Sequence, residues 1–442
     1  MIKKFTIIIL LTAAPFAAFA QHEWTLDECV SYALDHATEV ARQQIERWQS
    51  VTDYRTALLD FLPSVSAQAN GQYSWGRNID PETNLYNNVT TFNNSYSISA
   101  SLPVFDGGQT WNAFRKARLA RNTASTAVVQ ARDDKAIEVM QKFVDAVYAL
   151  KSISLMRRKL ADSEALLAKT RRLYELGEKS RPDVVQVESQ VAEDDYNLLH
   201  QQNLARTAMI ALKSAMNFPP ADSLSPDCSM PVPVSLPAVA PVMDDLALSS
   251  KPAVVIAESS VEQARLNWKM QRAALMPQIY LSGGISTNFY KNLSQGQAGL
   301  AYGAQMRNNL GEYVSLTLSV PLFSPGGWRS VKRAKADYVI AKLDADDARR
   351  KLRDDAEQAL ADYEGYRKEV ERMERKVASD SLAYRLSRRK YEEGMLSTFD
   401  IHESAQALLE SSVTLLQLRM LLAIRLKLVK YYINNEPLWT LN

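Results

Sequence analysis

Two hydrophobic periods divide the chain into predicted strands and predicted helices. In Ser64–Trp75 the even positions are polar, and all but one of the odd positions are apolar. Ser95–Leu102, Gln278–Phe289 and Val314–Val320 show the same alternation, with Tyr280 as an exception on the polar side. A period of two belongs to a β-strand that has one polar and one apolar face. The sequence therefore predicts four such strands, two in each half of the chain.

Long stretches between these strands have the pattern of helices. Gln109–Leu176 contains no Gly or Pro, and a helix over it is about 100 Å long at about 1.5 Å per residue. Its apolar residues recur at spacings of three and four, as they do in Trp328–Glu393, which is typical of coiled-coil packing. The connections Asn78–Asn94 and Tyr290–Glu312 are rich in Asn, Gly and Gln and are predicted as surface loops. Shorter helices are predicted over 24–61, 180–217, 245–275 and 397–432.

The chain is predicted to be an internal duplication. The pattern Tyr-x-x-Gly-x-x-Ser-x-x-Asp occurs at Tyr174–Asp183 and again at Tyr391–Asp400. Pro103-Val104-Phe105 likewise matches Pro321-Leu322-Phe323 at nearly the same offset. Since each Tyr-Gly-Ser-Asp pattern ends one helix and starts another, both are predicted tips of helical hairpins.

The ends and the middle of the chain set the predicted domain boundaries. Lys3 and Lys4, an apolar run and Ala18-Phe19-Ala20 predict a secretory signal, and Gln21 stands where a lipid-anchored protein needs cysteine. A segment rich in Pro, Ser and Ala separates the halves. The predicted division is a signal peptide at 1–20, a first repeat at 21–217, a linker at 218–243, a second repeat at 244–435 and a tail at 436–442.

Charge and composition exclude several classes of function. The chain has 52 Lys and Arg against 50 Asp and Glu, and the two lysines of the signal account for the excess, so nucleic acid is not an expected partner. The four histidines and two cysteines form no metal-binding spacing, and no catalytic or phosphate-binding motif occurs in context. We therefore expect no metal, no cofactor and no enzyme activity. A disulfide between Cys29 and Cys228 stays open.

The predicted strands fit a membrane barrel, although a soluble sandwich alternates in the same way. Runs of about ten residues suit a tilted transmembrane strand, and the polar face is small and uncharged. Four strands cannot close a barrel, and an open edge cannot face lipid, so a membrane sheet of this size requires several copies of the chain. Aromatic residues predicted at the membrane interfaces near the strand ends are Tyr73, Trp75, Phe105, Trp111, Phe289, Tyr313, Phe323 and Trp328.

Three sets of residues give the chain a family resemblance. They are the opening Leu26–Leu34, the strand-to-helix element Pro103–Gly108 and the two hairpin tips. In this order the chain resembles the TolC-like outer-membrane efflux protein family. The resemblance implies an α+β membrane protein that forms a homotrimer, with four transmembrane strands per chain in a twelve-stranded β-barrel. A periplasmic α-helical coiled-coil barrel would continue it, giving an outer-membrane location with a large periplasmic part.

The resemblance also implies the function and its partners. The protein would be a passive exit duct, in contact with outer-membrane lipid, of a tripartite efflux or type I secretion system. A periplasmic adaptor protein would couple it to an inner-membrane efflux pump or ABC exporter. The alternative is a periplasmic coiled-coil adaptor or structural scaffold protein without a barrel.

The second tip is the predicted gate. Asp400 and Glu403 are three residues apart and share a helix face, so a trimer would arrange them as two rings of carboxylates that attract cations. The alternative for Asp400 is an ordinary acid at a helix N-terminus. The resemblance adds Tyr391 as part of a latch, although Leu396 stands where the family pattern has arginine. Residues expected to contact the adaptor are Leu176, Gly177, Glu178, Ser180, Gly394, Met395, Leu396 and Ser397.

Overall fold

The fold is known from a computed structural model that describes residues 22–79, 84–229, 249–294, 301–433 and 438. The predicted signal peptide, residues 230–243 of the linker and most of the tail lie outside the described residues. The chain forms two compact units. A helical unit comprises Met1–Val40, Arg132–Val242 and Ala356–Asn442, and a sheet unit comprises Ala41–Ala131 and Met243–Asp355.

The sheet unit contains the four predicted strands as one antiparallel sheet in the order β2-β3-β5-β6. The strands are β2 (Ser64–Ile79), β3 (Tyr86–Phe105), β5 (Gln278–Asn292) and β6 (Gly311–Ser319). Because directly paired residues lie on the same face, the register separates the predicted faces cleanly. The pairs Ser66 with Ser99 and Ala67 with Ile98 lie on opposite faces. The fold class is therefore α+β, mostly helical with an antiparallel sheet.

Both connections predicted as surface loops contain regular structure. The β2–β3 hairpin continues without a break to the pair Ile79 and Tyr86, so most of Asn78–Asn94 is strand. Val89 and Thr91 are buried there, which favours continued pairing over an open loop. The connection from β5 to β6 contains helix α6, Tyr302–Asn308. The loop prediction was therefore wrong for these segments.

The strand-to-helix element ends β3 with a compact turn. Asp106 accepts hydrogen bonds from the backbone N–H groups of Gly108 (2.9 Å), Gln109 (3.0 Å) and Thr110 (2.6 Å). It thereby caps the next helix, α3 (Gln109–Glu175). Gly107 has φ +68°, and a Cβ atom there would lie 2.8 Å from the carbonyl oxygen of Ala273. Glycine is required at this position for both reasons.

The helix predicted over 24–61 is broken in two. A short strand, β1 (Glu23–Trp24), precedes α1 (Leu26–His36) and α2 (Thr38–Leu59), and Ala37 between the two helices has extended geometry. The Asn217 side-chain amide donates to the carbonyl oxygen of His36 at 2.9 Å. This bond satisfies a carbonyl group at the break between the two helices. β1 pairs in parallel with β4 (Ser225–Pro226). This part of the predicted linker is therefore held by backbone pairing with Glu23 and Trp24.

Two long hairpins dominate the helical unit. The first is α3 with α4 (Arg181–Ala215), and the second is α7 (Pro325–Glu392) with α8 (Thr398–Ile433). α7 begins three residues before the predicted Trp328, because proline is well suited to the first turn of a helix. A further helix, α5 (Pro252–Ala273), leads into β5. Fully buried side chains on all four hairpin helices form the core, including Phe143, Leu212, Tyr363 and Met420.

Two further features of the helical unit concern its apolar helix and its thiols. Among the described residues, α8 is the one helix long and apolar enough to cross a membrane by length and composition. A core helix meets the same test, and Leu418, Met420 and Val429 of α8 are buried. Cys29 and Cys228 are both free thiols, and burial raises the pKa of Cys29 to about 12.

Candidate gate and hairpin tips

The two hairpin tips have the same backbone construction. At the first, Gly177 has φ +77°, and the Glu178 N–H donates to the Leu173 carbonyl at 2.9 Å. At the second, Gly394 has φ +74°, and the Met395 N–H donates to the Lys390 carbonyl at 2.9 Å. A glycine in left-handed geometry followed by this backward hydrogen bond is the Schellman ending of a helix. The two halves of the predicted duplication therefore share the same backbone hydrogen bond at their tips.

The acids three residues after each serine have the same local role. Ser180 donates through its backbone N–H (3.0 Å) and hydroxyl (2.6 Å) to one carboxylate oxygen of Asp183. Ser397 contacts Asp400 in the same way, at 3.2 and 2.5 Å. Hydrogen bonds from Ser180 hold the pKa of Asp183 below its usual range. Both acids therefore belong to capping boxes, which was the alternative reading of Asp400.

Glu403 distinguishes the second tip from the first. It is exposed on α8, one turn after the exposed Asp400. Its counterpart Gln186 accepts a hydrogen bond from the Thr398 hydroxyl at 2.9 Å and so ties α4 to α8. The two predicted gate acids share one accessible face, and the matching amide of the first tip holds the hairpins together.

Tyr391 lies inside the helical unit and joins the hairpins. Its hydroxyl is 2.7 Å from the hydroxyl of Thr170 on α3, and only 1% of the residue is exposed. Thr170 already donates to the Leu166 carbonyl, so Tyr391 is the donor between the two hydroxyls. The Lys179 ammonium lies 4.8 Å from the centre of the Tyr391 ring. The counterpart Tyr174 is 42% exposed.

The residues predicted to contact an adaptor differ in accessibility. Leu176 and Met395 are 66% and 63% exposed, and Leu396 is half-buried. Gly177, Gly394 and the exposed Glu178 lie in the turns, while Ser180 and Ser397 cap the following helices. Phe399 is also exposed beside the second tip, and the sequence analysis missed it. Its signal was a large aromatic residue directly after the capping serine and threonine.

A buried polar cluster above the tips was not predicted. The Lys159 ammonium is 3.0 Å from the Asp194 carboxylate, and their side chains are 10% and 1% exposed. Asp194 also accepts hydrogen bonds from Ser163 and from Gln190, the latter at 2.8 Å. Lys159 further donates to Gln406 at 2.5 Å, so the cluster links α3, α4 and α8. Heptad spacing gave no signal for it, because the cluster depends on contacts between helices.

A cavity of about 520 Å³ adjoins this cluster between α3, α7 and α8. Arg158, Arg385 and Arg388 line it, and Arg388 lies 3.9 Å from the Asp162 carboxylate. Tyr384 lies in the same lining, and burial raises its pKa with help from the nearby Asp162 charge. Arginines therefore outnumber acids in the lining of the cavity, and all three are exposed in the single chain.

Seven of the eight predicted interfacial aromatics occupy three different settings in the sheet unit. Tyr73 and Trp75 stack on each other on the exposed apolar face of β2. Phe289 is on the same face but is buried, with ring contacts to Phe92 and Tyr302. At the helix end of the sheet, exposed aromatics include the edge-to-face pair Phe323 and Trp328, together with Phe105 and Trp111.

Tyr313 lies on the opposite face of the sheet from Tyr73. It pairs with Gly284, which places it on the serine face of the sheet and not beside Tyr73. A Cβ atom on Gly284 would lie 3.0 Å from the Tyr313 ring. The glycine therefore makes room for the ring, and Tyr313 does not belong to the apolar face.

Comparison with known proteins identifies the chain's family. Residues 29–217 and 245–430 match the family described as Outer membrane efflux protein. The chain belongs to this family. The outer membrane protein OprJ of Pseudomonas aeruginosa is 24% identical over 383 residues, covering 84% of this chain and 75% of OprJ. These matches confirm the resemblance inferred from the tips and the strand-to-helix element.

Solved structures of channels share the fold. A crystal structure of CusC has a TM-score of 0.77 and 17% identity, covering 97% of this chain and 98% of that one. VceC from Vibrio cholerae has a TM-score of 0.75 and 15% identity, covering 91% of this chain and 95% of that one. The outer membrane efflux protein described here is an exit duct of a tripartite efflux system. It resides in the outer membrane with its helical part in the periplasm.

Proposed function

We propose that three copies of this efflux protein pool their sheets into one twelve-stranded barrel. The support is the pair of open edges that each four-stranded sheet leaves, along β2 and along β6. β6 runs antiparallel to β5 and thus opposite to β2, so the β6 of one copy meets the β2 of the next in antiparallel fashion. An edge facing lipid leaves backbone groups without partners, and ring closure removes that cost. This open-edged sheet in a family of outer-membrane ducts carries the proposal.

The apolar face of the sheet fits contact with outer-membrane lipid. Val314, Leu316 and Leu318 alternate along β6 and are exposed in the single chain. Phe92, close to where β3 begins to pair with β5, and Phe105 at the end of β3 are about 43 Å apart along the strand. A strand tilt of about 40° reduces this to about 33 Å, close to the thickness of the bilayer's hydrocarbon core. The serine-rich face would then line a wet lumen.

The second tip is proposed as the periplasmic gate. Repeated around a threefold axis, Asp400 and Glu403 would form two rings of carboxylates at the narrow end of the tunnel. Asp400 keeps its capping bond to Ser397, so its charge is held in one place on the helix. The Tyr391–Thr170 contact would keep the two hairpins of one chain together in the closed state. Paired acids would select cations and resist anions.

The tips are also proposed to receive a periplasmic adaptor that connects to an inner-membrane efflux pump or ABC exporter. The exposed side chains of Leu176 and Met395 next to helix-ending glycines form small apolar contact points, and Phe399 extends the second one. Energy for transport would come from the partner, since the family consists of passive channels.

Two measurements test the proposal. Detergent-dependent extraction as a heat-modifiable trimer supports the barrel, and a chain that extracts into water without detergent contradicts it. Planar-bilayer recordings of Asp400→Asn with Glu403→Gln should show higher single-channel conductance and weaker block by divalent cations. The matched control is Asp354→Asn with Glu357→Gln, two exposed α7 acids at the same spacing, which should change neither quantity. Unchanged conductance and block in the tip variant would remove the carboxylate rings from the gate.

A further inference from the structure

The apolar face of the sheet has a cavity of about 370 Å³. The residues that line it include Ala67 on β2, Ile98 on β3, Ile285 on β5 and Leu310, which follows α6 in the chain. The volume falls within the range of about 300–1,000 Å³ that is usual for ligand sites. Ala67 leaves a hollow where a larger residue of the apolar face would fill the space. The face is thus indented beside α6.

The polar groups beside the cavity are engaged. Thr287 donates its hydroxyl to the Met306 carbonyl at 2.6 Å. Tyr96 accepts a hydrogen bond from the Tyr302 hydroxyl at 3.3 Å. No charged side chain lines the cavity among the described residues. A hydrocarbon chain suits such a lining, because it needs no hydrogen-bond partner and gains by leaving water.

Helix α6 is fixed in place, so the cavity exists without a ligand. β6 ends its pairing with β5 at Ser286, and the side chains of Gln305 and Asn309 continue the contacts beyond that point. Gln305 both accepts from the Tyr290 N–H and donates to its carbonyl, each at 3.1 Å. Asn309 donates to the Asn288 carbonyl at 2.8 Å. These bonds hold α6 against β5 beside the cavity.

The position of α6 indicates which leaflet it meets. α2 and α5 lead into the sheet, and α3 and α7 leave it, all at one end of the strands. α6 lies at the opposite end, which is the extracellular end when the helices are periplasmic. The outer leaflet of an outer membrane is built of phosphorylated glycolipid. Its hydrocarbon meets the apolar face, and its phosphates lie near the strand ends.

Lys291 and Arg307 are cations at this end near β5. Arg77 of β2 lies there too, with its guanidinium 5.2 Å from the centre of the Tyr86 ring. Lys291 pairs with Phe92 and is therefore on the apolar face, and Arg307 lies in the last turn of α6. Both are exposed. Within the described ranges, neither is within ion-pair distance of a carboxylate. Lys291 lies six residues along β5 from Ile285, which pairs with the acid Glu312, so the cations complement lipid phosphates at the strand ends and not in the cavity.

We propose that each chain binds one acyl chain of lipid A in the cavity beside α6, with Lys291 and Arg307 beside the lipid phosphates. The inference rests on the proposed membrane-spanning sheet. It assigns to α6 the role of a lipid clamp on the outside of the barrel.

Native mass spectrometry of the purified full-length trimer, titrated with diphosphoryl lipid A in detergent, tests the assignment. Wild type should bind one lipid per chain. Ala67→Phe, which fills the cavity, should weaken binding about tenfold through lost apolar contact. Val65→Phe is the matched control, on the same strand and face but outside the cavity. It should bind like wild type.

A second variant keeps the test independent of core packing. Lys291→Ala with Arg307→Ala alters exposed side chains, and it should weaken binding and reduce its salt dependence. If Ala67→Phe and Val65→Phe bind lipid A equally tightly, the cavity is not the binding site. Phosphatidylglycerol binding as tightly as lipid A overturns the glycolipid assignment. If wild type is not a detergent-dependent trimer, the proposed function fails. If the wild-type trimer is intact but binds no lipid A, the lipid site is overturned and the proposed function stands.

Discussion

The hydroxyl of Tyr391 lies 2.7 Å from the hydroxyl of Thr170, a residue 221 positions earlier in the chain. This buried contact joins the end of α7 to the end of α3, next to both hairpin tips. The tyrosine that the family resemblance places in a latch thus has its partner within its own chain. The contact is equally available before and after assembly.

Removing this hydroxyl should loosen the tips. Tyr391→Phe deletes one buried hydrogen bond, worth about 1 kcal/mol, while Thr170 keeps its bond to the Leu166 carbonyl. We expect the open probability in single-channel recordings to rise about fivefold, the factor that this energy corresponds to. Tyr174→Phe alters the exposed counterpart in the first hairpin and should leave the open probability unchanged. Equal effects of the two variants would argue against a specific latch.

The buried pair of Lys159 and Asp194 should respond differently to single and double replacement. Asp194→Leu leaves the Lys159 ammonium without its carboxylate and should cost about 3–5 kcal/mol. Lys159→Met combined with Asp194→Leu should recover at least half of that loss. Thermal loss of the helical circular dichroism signal measures both. Arg375→Ala, in an exposed pair with Glu371, should cost less than about 0.5 kcal/mol and serves as the control.

The two adjacent glycines of β5 should differ in tolerance. A Cβ atom on Gly284 would lie 2.6 Å from the Ile98 carbonyl oxygen, whereas the nearest atom to one on Gly283 is at 3.4 Å. Gly284→Ala should therefore cost about 1–3 kcal/mol through overpacking and lower the yield of heat-resistant trimer on unboiled gels. Gly283→Ala should assemble normally. A normal trimer yield from Gly284→Ala would show that the strands can shift to admit the methyl group.

The first tip should lose protection in acid. Because the pKa of Asp183 is lowered in the folded chain by the bonds from Ser180, its contribution is present above the usual value near 3.8. It is lost as the pH falls through the lower folded value. Hydrogen exchange of the amides around Glu178, corrected for intrinsic rates, should accelerate in that window. Asp183→Asn removes the titrating group, so the same acceleration in that variant would contradict this cause.

The local patterns that the sequence could report were strand alternation, helix length and the turn residues at both tips. All four predicted strands are present, and the ends of α3 lie within one residue of the prediction. Other features depend on partners far away in sequence. The break at Ala37 involves Asn217, and the continued β2–β3 hairpin depends on a register that composition does not reveal.

The candidate site also combines features that have a local sequence signal with features that have none. Glycine and serine fixed the turns, and the spacing of Asp400 and Glu403 placed both acids on one exposed face. The competing interpretation of Asp400 from the sequence was an ordinary acid at a helix N-terminus, and the structure adds its bond to the capping residue Ser397. Thr170 and the cluster around Asp194 carried no local signal, since heptad patterning specifies only that a position faces another helix. Tyr313 was predicted at a membrane interface because it lies near a strand end, and its pairing with Gly284, which places it on the serine face, has no signal in strand composition.

The hydrogen bonds from Gln305 and Asn309 to the β5 backbone also matter before assembly. A newly exported chain presents unpaired strand backbone to other unfolded chains, and such edges template aggregation. α6 already covers β5 beyond the end of β6. The remaining risk is concentrated along β2 and β6, the edges that a neighbouring copy would cover. During biogenesis, α6 would thus prevent mispairing along the end of β5. Mispairing would then be possible only along the two edges that trimer formation covers.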